Sequence, residues 1–248
     1  MTKFKKLFVT LLMVTGLVFT SCGTDQTKGS KEQEEPAKTD KNEEPEREKQ
    51  TMKREIYYQG HGSLRITTSS GFTAYIDPFA GDGYDQPADL ILVTHQHSDH
   101  NKTDLPARKE NCRVWQNTDA LADGEYKTET IGDITIKAVE AYNSNHPKSQ
   151  CVGYILSFDG IKVYVAGDTS TTEQMKTMPE EKLDYVFLPI DGVYNMDPAE
   201  ATECARLIQA KTSIPYHMAP SKLFDRQKAE EFNAPNRLIL PAGESVRY

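Results

Sequence analysis

Residues 91–105 read ILVTHQHSDHNKTDL, and this stretch decides how the rest of the chain is read. The chain has six histidines in 248 residues, and His95, His97 and His100 stand within six positions here, with Asp99 between them. The run before them, ADLILVT (88–94), is apolar and β-branched and reads as a buried strand. Side chains alternate faces on an extended chain, so His95 and His97 project to one side while Gln96 points away. Asp99 and His100 follow at a turn, where a short helix is expected. Crowding three imidazoles and a carboxylate at one strand end gains nothing structurally unless something pairs with them. The cluster therefore reads as metal ligands, able to serve two adjacent ions.

Outward from this cluster the chain alternates short β-like runs with turn residues. EIYYQ (55–59), SLRITT (63–68) and GFTAYID (71–77) precede it. NCRVWQN (111–117), ITIKAVEAY (134–142), CVGYILSF (151–158) and IKVYVAG (161–167) follow, the last two joined by Asp159-Gly160, a hairpin signal. Helical patterns come late. Asp197-Pro198-Ala199-Glu200 opens a helix through about Gln209, and a second is expected near Ser221–Phe232. Between them DYVFLPI (184–190) and TSIPYH (212–217) read as strands. Strands first and helices later imply an α+β fold, a layered sandwich of two sheets with outer helices.

His95-Gln96-His97-Ser98-Asp99-His100 matches the HxHxDH signature, and on it the chain resembles the metallo-β-lactamase superfamily over residues 55–245. The other ligands of that family find counterparts in order: His146 in NSNHPKSQ, Asp168 in VYVAGDTS and His217 in SIPYHMA. The resemblance implies a four-layer αββα sandwich with the site at one edge. It also implies that His95, His97 and His146 hold one metal, that Asp99, His100 and His217 hold a second, and that Asp168 bridges both. The segments GHGSLRI (60–66) and AYIDPFAG (74–81) are similar to the compact hydrolases of the ascorbate-6-phosphate lactonase-like branch. That likeness puts His61 near the site, behind the ligands or against substrate, and gives Asp77 the task of orienting a ligand-bearing loop.

Imidazole and carboxylate donors without thiolate suit zinc, manganese or iron. Two divalent ions are expected, zinc by the habit of the superfamily, with manganese associated with the lactonase-like branch. A flavin-linked di-iron redox site is disfavoured, because such relatives carry Glu where His97 stands, together with a flavodoxin-like domain. A hydroxide shared by two cations about 3.5–4 Å apart is a strong nucleophile near neutral pH, so hydrolysis is the expected reaction. Asp99 would both ligate metal and orient that hydroxide. No serine or cysteine stands in a nucleophile elbow. The short span between His146 and Asp168 leaves no room for a large lid, which suggests a small ester, lactone or phosphodiester. The competing classes are a non-catalytic metal- or ligand-binding envelope lipoprotein and a phospholipid-directed hydrolase.

The N-terminus reads as an export signal. Lys3, Lys5 and Lys6 precede an apolar run, Leu7–Thr20, that is short of the roughly 20 residues a spanning helix needs. Small residues then lead into Cys22, which resembles the lipidation site of bacterial lipoproteins. The expected organisation is a signal peptide over 1–21, a lipidated Cys22 with a charged disordered tether over 22–51, and a hydrolase domain over 52–248. The tether has almost nothing to bury and carries Pro36 and Pro45. This layout implies an exported, lipid-anchored protein of the bacterial envelope, with a membrane and a small molecule as its partners. The formal charge of −8 argues against nucleic acid as a partner. Cys112, Cys151 and Cys204 show no CxxC spacing and read as small buried hydrophobes, with one disulfide of unassigned pairing as the alternative outside the cytoplasm.

Overall fold

The computed structural model describes residues 53–248. The expected signal peptide, Cys22 and the whole of the tether lie outside the described residues. The first half of the chain forms β1 (Glu55–Gly60), β2 (Ser63–Thr67), β3 (Thr73–Ile76), β4 (Ala88–Val93) and β5 (Arg108–Gln116), then α1 (Asn117–Ala120) and the short pair β6 (Leu121–Ala122) and β7 (Glu125–Tyr126). The second half adds β8 (Thr128–Ile131), β9 (Ile134–Glu140), β10 (Val152–Phe158), β11 (Ile161–Val165), β12 (Tyr185–Pro189), α2 (Pro198–Ile208), β13 (Thr212–Tyr216), α3 (Arg226–Glu231) and β14 (Glu244–Arg247). A 3₁₀ segment covers Glu173–Glu181 between β11 and β12.

The strands build two six-stranded sheets, ordered β14-β1-β2-β3-β4-β5 and β13-β12-β11-β10-β9-β8. In each sheet one half is antiparallel and the other parallel: β3, β4 and β5 run together in the first, β11, β12 and β13 in the second. Period-2 alternation explains the packing. Ile56, Leu64 and Ile66 of the first sheet meet Ile136, Tyr154 and Val163 of the second in the central core. Their sequence neighbours Ile155 and Tyr164 turn to the opposite face of the second sheet. There they pack with Val186 and Leu188 against α2, α3 and the 3₁₀ segment. The outer face of the first sheet is met instead by the loop after β3, where Tyr84 stacks on Tyr75 with ring centroids 5.5 Å apart. The chain thus forms the expected α+β sandwich.

The helix over Pro198–Ile208 begins where Asp197 and Pro198 place it, with the Asp197 carboxylate accepting the Glu200 N–H at 2.8 Å. It buries Ala201, Cys204, Ala205 and Ile208, the spacing of one helix face. Cys151 and Cys204 are buried free thiols, as their isolated positions suggested, while Cys112 is half-buried. Two expectations differ from the structure. The second late helix runs only over Arg226–Glu231, because the Leu223 carbonyl accepts His61 N–H at 2.8 Å and the Lys222 carbonyl faces His61 Nδ1 at 3.4 Å. Carbonyls committed to the site are not free for a helical ladder, and Ser221 adds a left-handed φ of 63°. The short helix expected after His100 is a single turn closed by His100 N–H on the His97 carbonyl at 3.0 Å.

In the parallel half of each sheet the carboxyl ends of the strands gather at one edge, which is where open α/β sheets bind ligands. β4 delivers His95–His100 there, β11 delivers Asp168 and β13 delivers His217. The loop before β10 brings His146 to the same edge, since Val152 N–H bonds the Thr94 carbonyl at 3.0 Å. Beneath it the Tyr154 hydroxyl ties the two sheets by donating to the Val93 carbonyl at 2.7 Å.

Candidate metal centre

The turn after β4 is held from below by Asp77. Its carboxylate accepts Thr94 N–H at 2.7 Å, the Thr94 hydroxyl at 2.6 Å and His100 Nδ1 at 2.9 Å. Because a carboxylate only accepts, His100 carries its proton on Nδ1 and presents Nε2 to the site. Gln96 points away, as alternation requires, and donates to Asn117 Oδ1 at 2.7 Å. His61, Asp77 and His217 all adopt left-handed backbone (φ 53°, 46° and 46°), rare for residues with a Cβ and concentrated here around the site. His217 N–H donates to the His61 carbonyl at 2.9 Å, locking two of these positions together. Gly62 permits the close approach, since a Cβ there would stand 2.7 Å from His100 Cε1.

Asp168 sits between two sets of imidazoles. Its Oδ1 lies 3.3 Å from His100 Nε2 and 3.5 Å from His217 Nε2. Its Oδ2 lies 3.3 Å from His146 Nε2 and 4.0 Å from His95 Nε2. Ligand atoms of His95, His97 and His146 lie within 4.8 Å of one another, as do those of His95, His100 and Asp168. A further group within the same limit joins Asp99, His100 and His217 with His61. All seven expected ligands therefore converge on one place. His61 comes closer than expected, its Nε2 3.0 Å from Asp99 Oδ2.

Three features fit divalent cations. Buried His95 Nε2 and Asp168 Oδ1 have no hydrogen-bond partner, and leaving such atoms unpaired costs about 1–3 kcal/mol each. His100 Nε2 and His217 Nε2 face each other at 3.2 Å. Nitrogens each about 2.0–2.1 Å from a shared tetrahedral zinc would stand at nearly that separation. The donors are imidazole and carboxylate, the set that zinc, manganese and iron accept.

Two further residues take part that the sequence did not single out. Asn143 Oδ1 accepts His146 Nδ1 at 2.9 Å, and Asp191 Oδ2 stands 3.3 Å from His217 Nδ1. The signal for Asn143 was its place three residues before a loop histidine, the spacing of an Asx turn. Asp191 had only its position directly after a buried strand.

Burial and the neighbouring His100 push the His95 pKa down to about 2. Burial acts the same way on His100, but the carboxylates of Asp168, Asp77 and Asp99 outweigh it and raise its pKa to about 9. His217 is raised too, with Asp168 and Asp191 overcoming burial. Burial alone would raise Asp168, yet the surrounding imidazoles hold it well below the usual carboxylate range. The metal-free centre thus keeps a second proton on His100 at neutral pH, and its Nε2 can share that proton with His217 Nε2 at 3.2 Å. A cation must displace it, so binding at pH 7 is expected to release about one proton per chain. Calorimetry in buffers of different ionisation enthalpy reads that number, and zero release would contradict the assignment. The signs for stability follow. In the metal-free protein the His100 contribution is complete below its unfolded pKa near 6.5 and disappears as pH rises through about 9. His95 has the opposite sense: its lowered pKa costs stability as pH falls below about 6.5.

A cavity of about 430 Å³ opens over the centre, with Asp99, Asp168 and His146 on its floor and Phe79 and Tyr194 on its walls. That volume suits a small ligand.

Comparison with known proteins agrees with this geometry. A family described as "Beta-lactamase superfamily domain" matches residues 55–217. A "UPF0173 metal-dependent hydrolase" of Myxococcus xanthus is 33% identical over 199 residues, covering 66% of this chain and 70% of that protein. The one from Ligilactobacillus salivarius is 31% identical over 184 residues, covering 65% and 84%. A crystal structure of a Parabacteroides distasonis protein superposes with a TM-score of 0.61 at 32% identity, over 74% of this chain and 91% of that one. The metallo hydrolase Igni18 of Ignicoccus hospitalis shares the fold, with a TM-score of 0.62 at 23% identity over 78% and 97%.

Proposed function

This chain belongs to the metallo-β-lactamase superfamily, and within it to the UPF0173 metal-dependent hydrolases, and we propose that it uses two divalent cations to hydrolyse a small ester, lactone or phosphodiester. The observation that carries the two-ion reading is Asp168, whose oxygens face different pairs of imidazoles. In this reading His95, His97 and His146 hold one cation, Asp99, His100 and His217 the other, and Asp168 is shared. Bound there, the cations lower the pKa of water and polarise the oxygen of the bond under attack. Zinc is the first choice, and manganese and iron fit the same donors.

The protein's own groups do the rest. Asp99 is half-buried, and although burial raises its pKa, His61 and His100 hold it below the usual carboxylate range. It stays ionised near neutral pH and orients the attacking water by accepting its hydrogen bond. Its low basicity suits it to orienting rather than to storing the proton. Asn143, Asp77 and Asp191 keep the rings of His146, His100 and His217 aimed inward.

The GHGS and IDPF segments favour the lactonase-like branch, whereas export through Cys22 would separate the enzyme from phosphorylated sugars of the cell interior. The substrate in this reading is a small molecule outside the cytoplasm rather than a sugar phosphate of the cell interior, with the enzyme tethered to the envelope. The test is the purified chain loaded with zinc or manganese and run on a panel of lactones, acyl esters and phosphodiesters. About two ions per chain and turnover in at least one class are expected. One ion per chain, or a silent panel with both metals, would overturn the reading, and Cys22→Ala should move the protein out of the membrane fraction.

A further inference from the structure

Among the described residues four large hydrophobic side chains are exposed: Leu105 at 40%, Val193 at 60%, Tyr194 at 52% and Leu238 at 37%. Single exposed apolar residues are ordinary and call for no explanation. Val193 and Tyr194 differ because they are adjacent and Tyr194 lines the 430 Å³ cavity.

The backbone that carries them is rigidly tied. Asp191 Oδ1 accepts the N–H groups of Val193 at 2.6 Å, Tyr194 at 2.7 Å and Asn195 at 3.3 Å, while Oδ2 accepts Asn195 Nδ2 at 2.7 Å. Gly192, at φ 69°, closes the turn by donating its N–H to the Met196 carbonyl at 3.1 Å. Asn143 and Asn145 donate side-chain N–H groups to the Tyr194 carbonyl at 2.9 and 3.2 Å. Such a loop has little conformational freedom left to lose, yet its two apolar side chains face solvent. Apolar groups held ready in this way bind an apolar partner without a large ordering cost.

The anchors of this loop are the same groups that aim the ligands. Asn143 holds His146 through Oδ1 and Tyr194 through Nδ2. Asp191 holds the loop through Oδ1 and faces His217 through Oδ2. The tip is therefore set at a defined position relative to the polar floor. The half-buried Phe79 ring, which also lines the cavity, has His61 at 5.1 Å and the Lys102 ammonium at 4.4 Å. The cavity thus sets two aromatic rings, Phe79 and Tyr194, beside the polar groups of the centre, with Ser98, Asn145 and Ser221 completing its lining.

From this we infer that the Val193–Tyr194 tip, with Phe79, binds an apolar acyl or aryl group of the substrate beside the bond that is cleaved. The inference rests on the hydrolase reading and narrows it to esters or lactones with an apolar substituent.

The test uses straight-chain carboxylates from butyrate to decanoate as probes, titrated calorimetrically into the zinc-loaded full chain. Affinity is expected to rise about two- to fourfold per methylene, the range for partial to full burial of each added group. Tyr194→Ala should flatten that rise while leaving metal content unchanged, and Tyr194→Phe should restore it. Both side chains are solvent-exposed, so these variants are expected to fold. A series with no chain-length dependence, or an equal rise in Tyr194→Ala, would overturn the inference. A rising series with no turnover on any ester would remove the hydrolase reading but leave the apolar site standing. Turnover with a flat series would do the reverse.

Discussion

Asp168→Ala is expected to leave a folded protein that retains at most one cation per chain and loses at least about 10³-fold in kcat/KM. The size follows from what one carboxylate does here. Its two oxygens reach His95 and His146 on one side, His100 and His217 on the other. In the two-ion reading, removing it takes a shared ligand and the local negative charge from both sites at once. Loss of metal-based charge stabilisation is worth several kcal/mol, and about 1.4 kcal/mol is a factor of ten in rate. Folding should suffer less. Without the buried anion, His100 and His217 lose the main force that raises their pKa values and can rest neutral. The chain turns at Gly167, whose φ of 66° needs nothing from the neighbouring carboxylate. Metal analysis, circular dichroism and steady-state kinetics on one preparation decide the matter. Two retained ions with undiminished turnover would take Asp168 out of the centre, and Asp168→Asn, equal in volume but uncharged, should behave like the alanine variant.

Asp77→Ala should instead damage the fold, by roughly 3–5 kcal/mol in the metal-free protein. Asp77 is fully buried and accepts three hydrogen bonds, two from Thr94 and one from His100. Truncation strands the Thr94 N–H and His100 Nδ1 in the interior, at about 1–3 kcal/mol for each unpaired group. It also places alanine at a φ of 46°, a conformation that aspartate tolerates better. Asp77→Asn separates the two roles. It can still accept from Thr94 N–H, but its amide cannot accept from every donor the carboxylate served. His100 then loses its orienting partner, and the second cation should bind 10- to 100-fold more weakly, the usual cost of losing such support. Denaturant melts of both variants, with metal titrations of the asparagine form, separate the outcomes. An alanine variant as stable as the parent would show that Asp77 does not hold the β4 turn.

The two variants differ because the residues, though close in space, sit at different depths of the architecture. Asp168 faces the cavity and works on what binds there. Asp77 lies behind His100 and holds the turn that the ligands ride on. Composition and motif distinguish them poorly, since each is an aspartate at the end of a short β run.

Much of this molecule was readable from local pattern. The apolar run ending at Thr94, the opposite orientations of His95 and Gln96, and the Asp-Pro opening of the helix over Pro198–Ile208 depend only on near neighbours along the chain. Strand alternation, N-capping and a clustered HxHxDH run act over a few residues, so the sequence alone determined them. His146, Asp168 and His217 became legible only through their order, by resemblance, because each taken singly is an ordinary loop or strand-end residue. What the tertiary structure alone decided is how distant segments use one another. It seats Asp191 against His217 at the edge of two parallel strands, makes Asn143 serve both His146 and the Tyr194 loop, and brings His61 to Asp99. It also draws the Lys222 and Leu223 carbonyls to His61, which shortens the last helix. Such contacts join positions up to 162 residues apart, as from His61 to Leu223. A hydrogen bond carries no trace in either partner's local pattern, and only the packing of two sheets against each other makes these pairs neighbours.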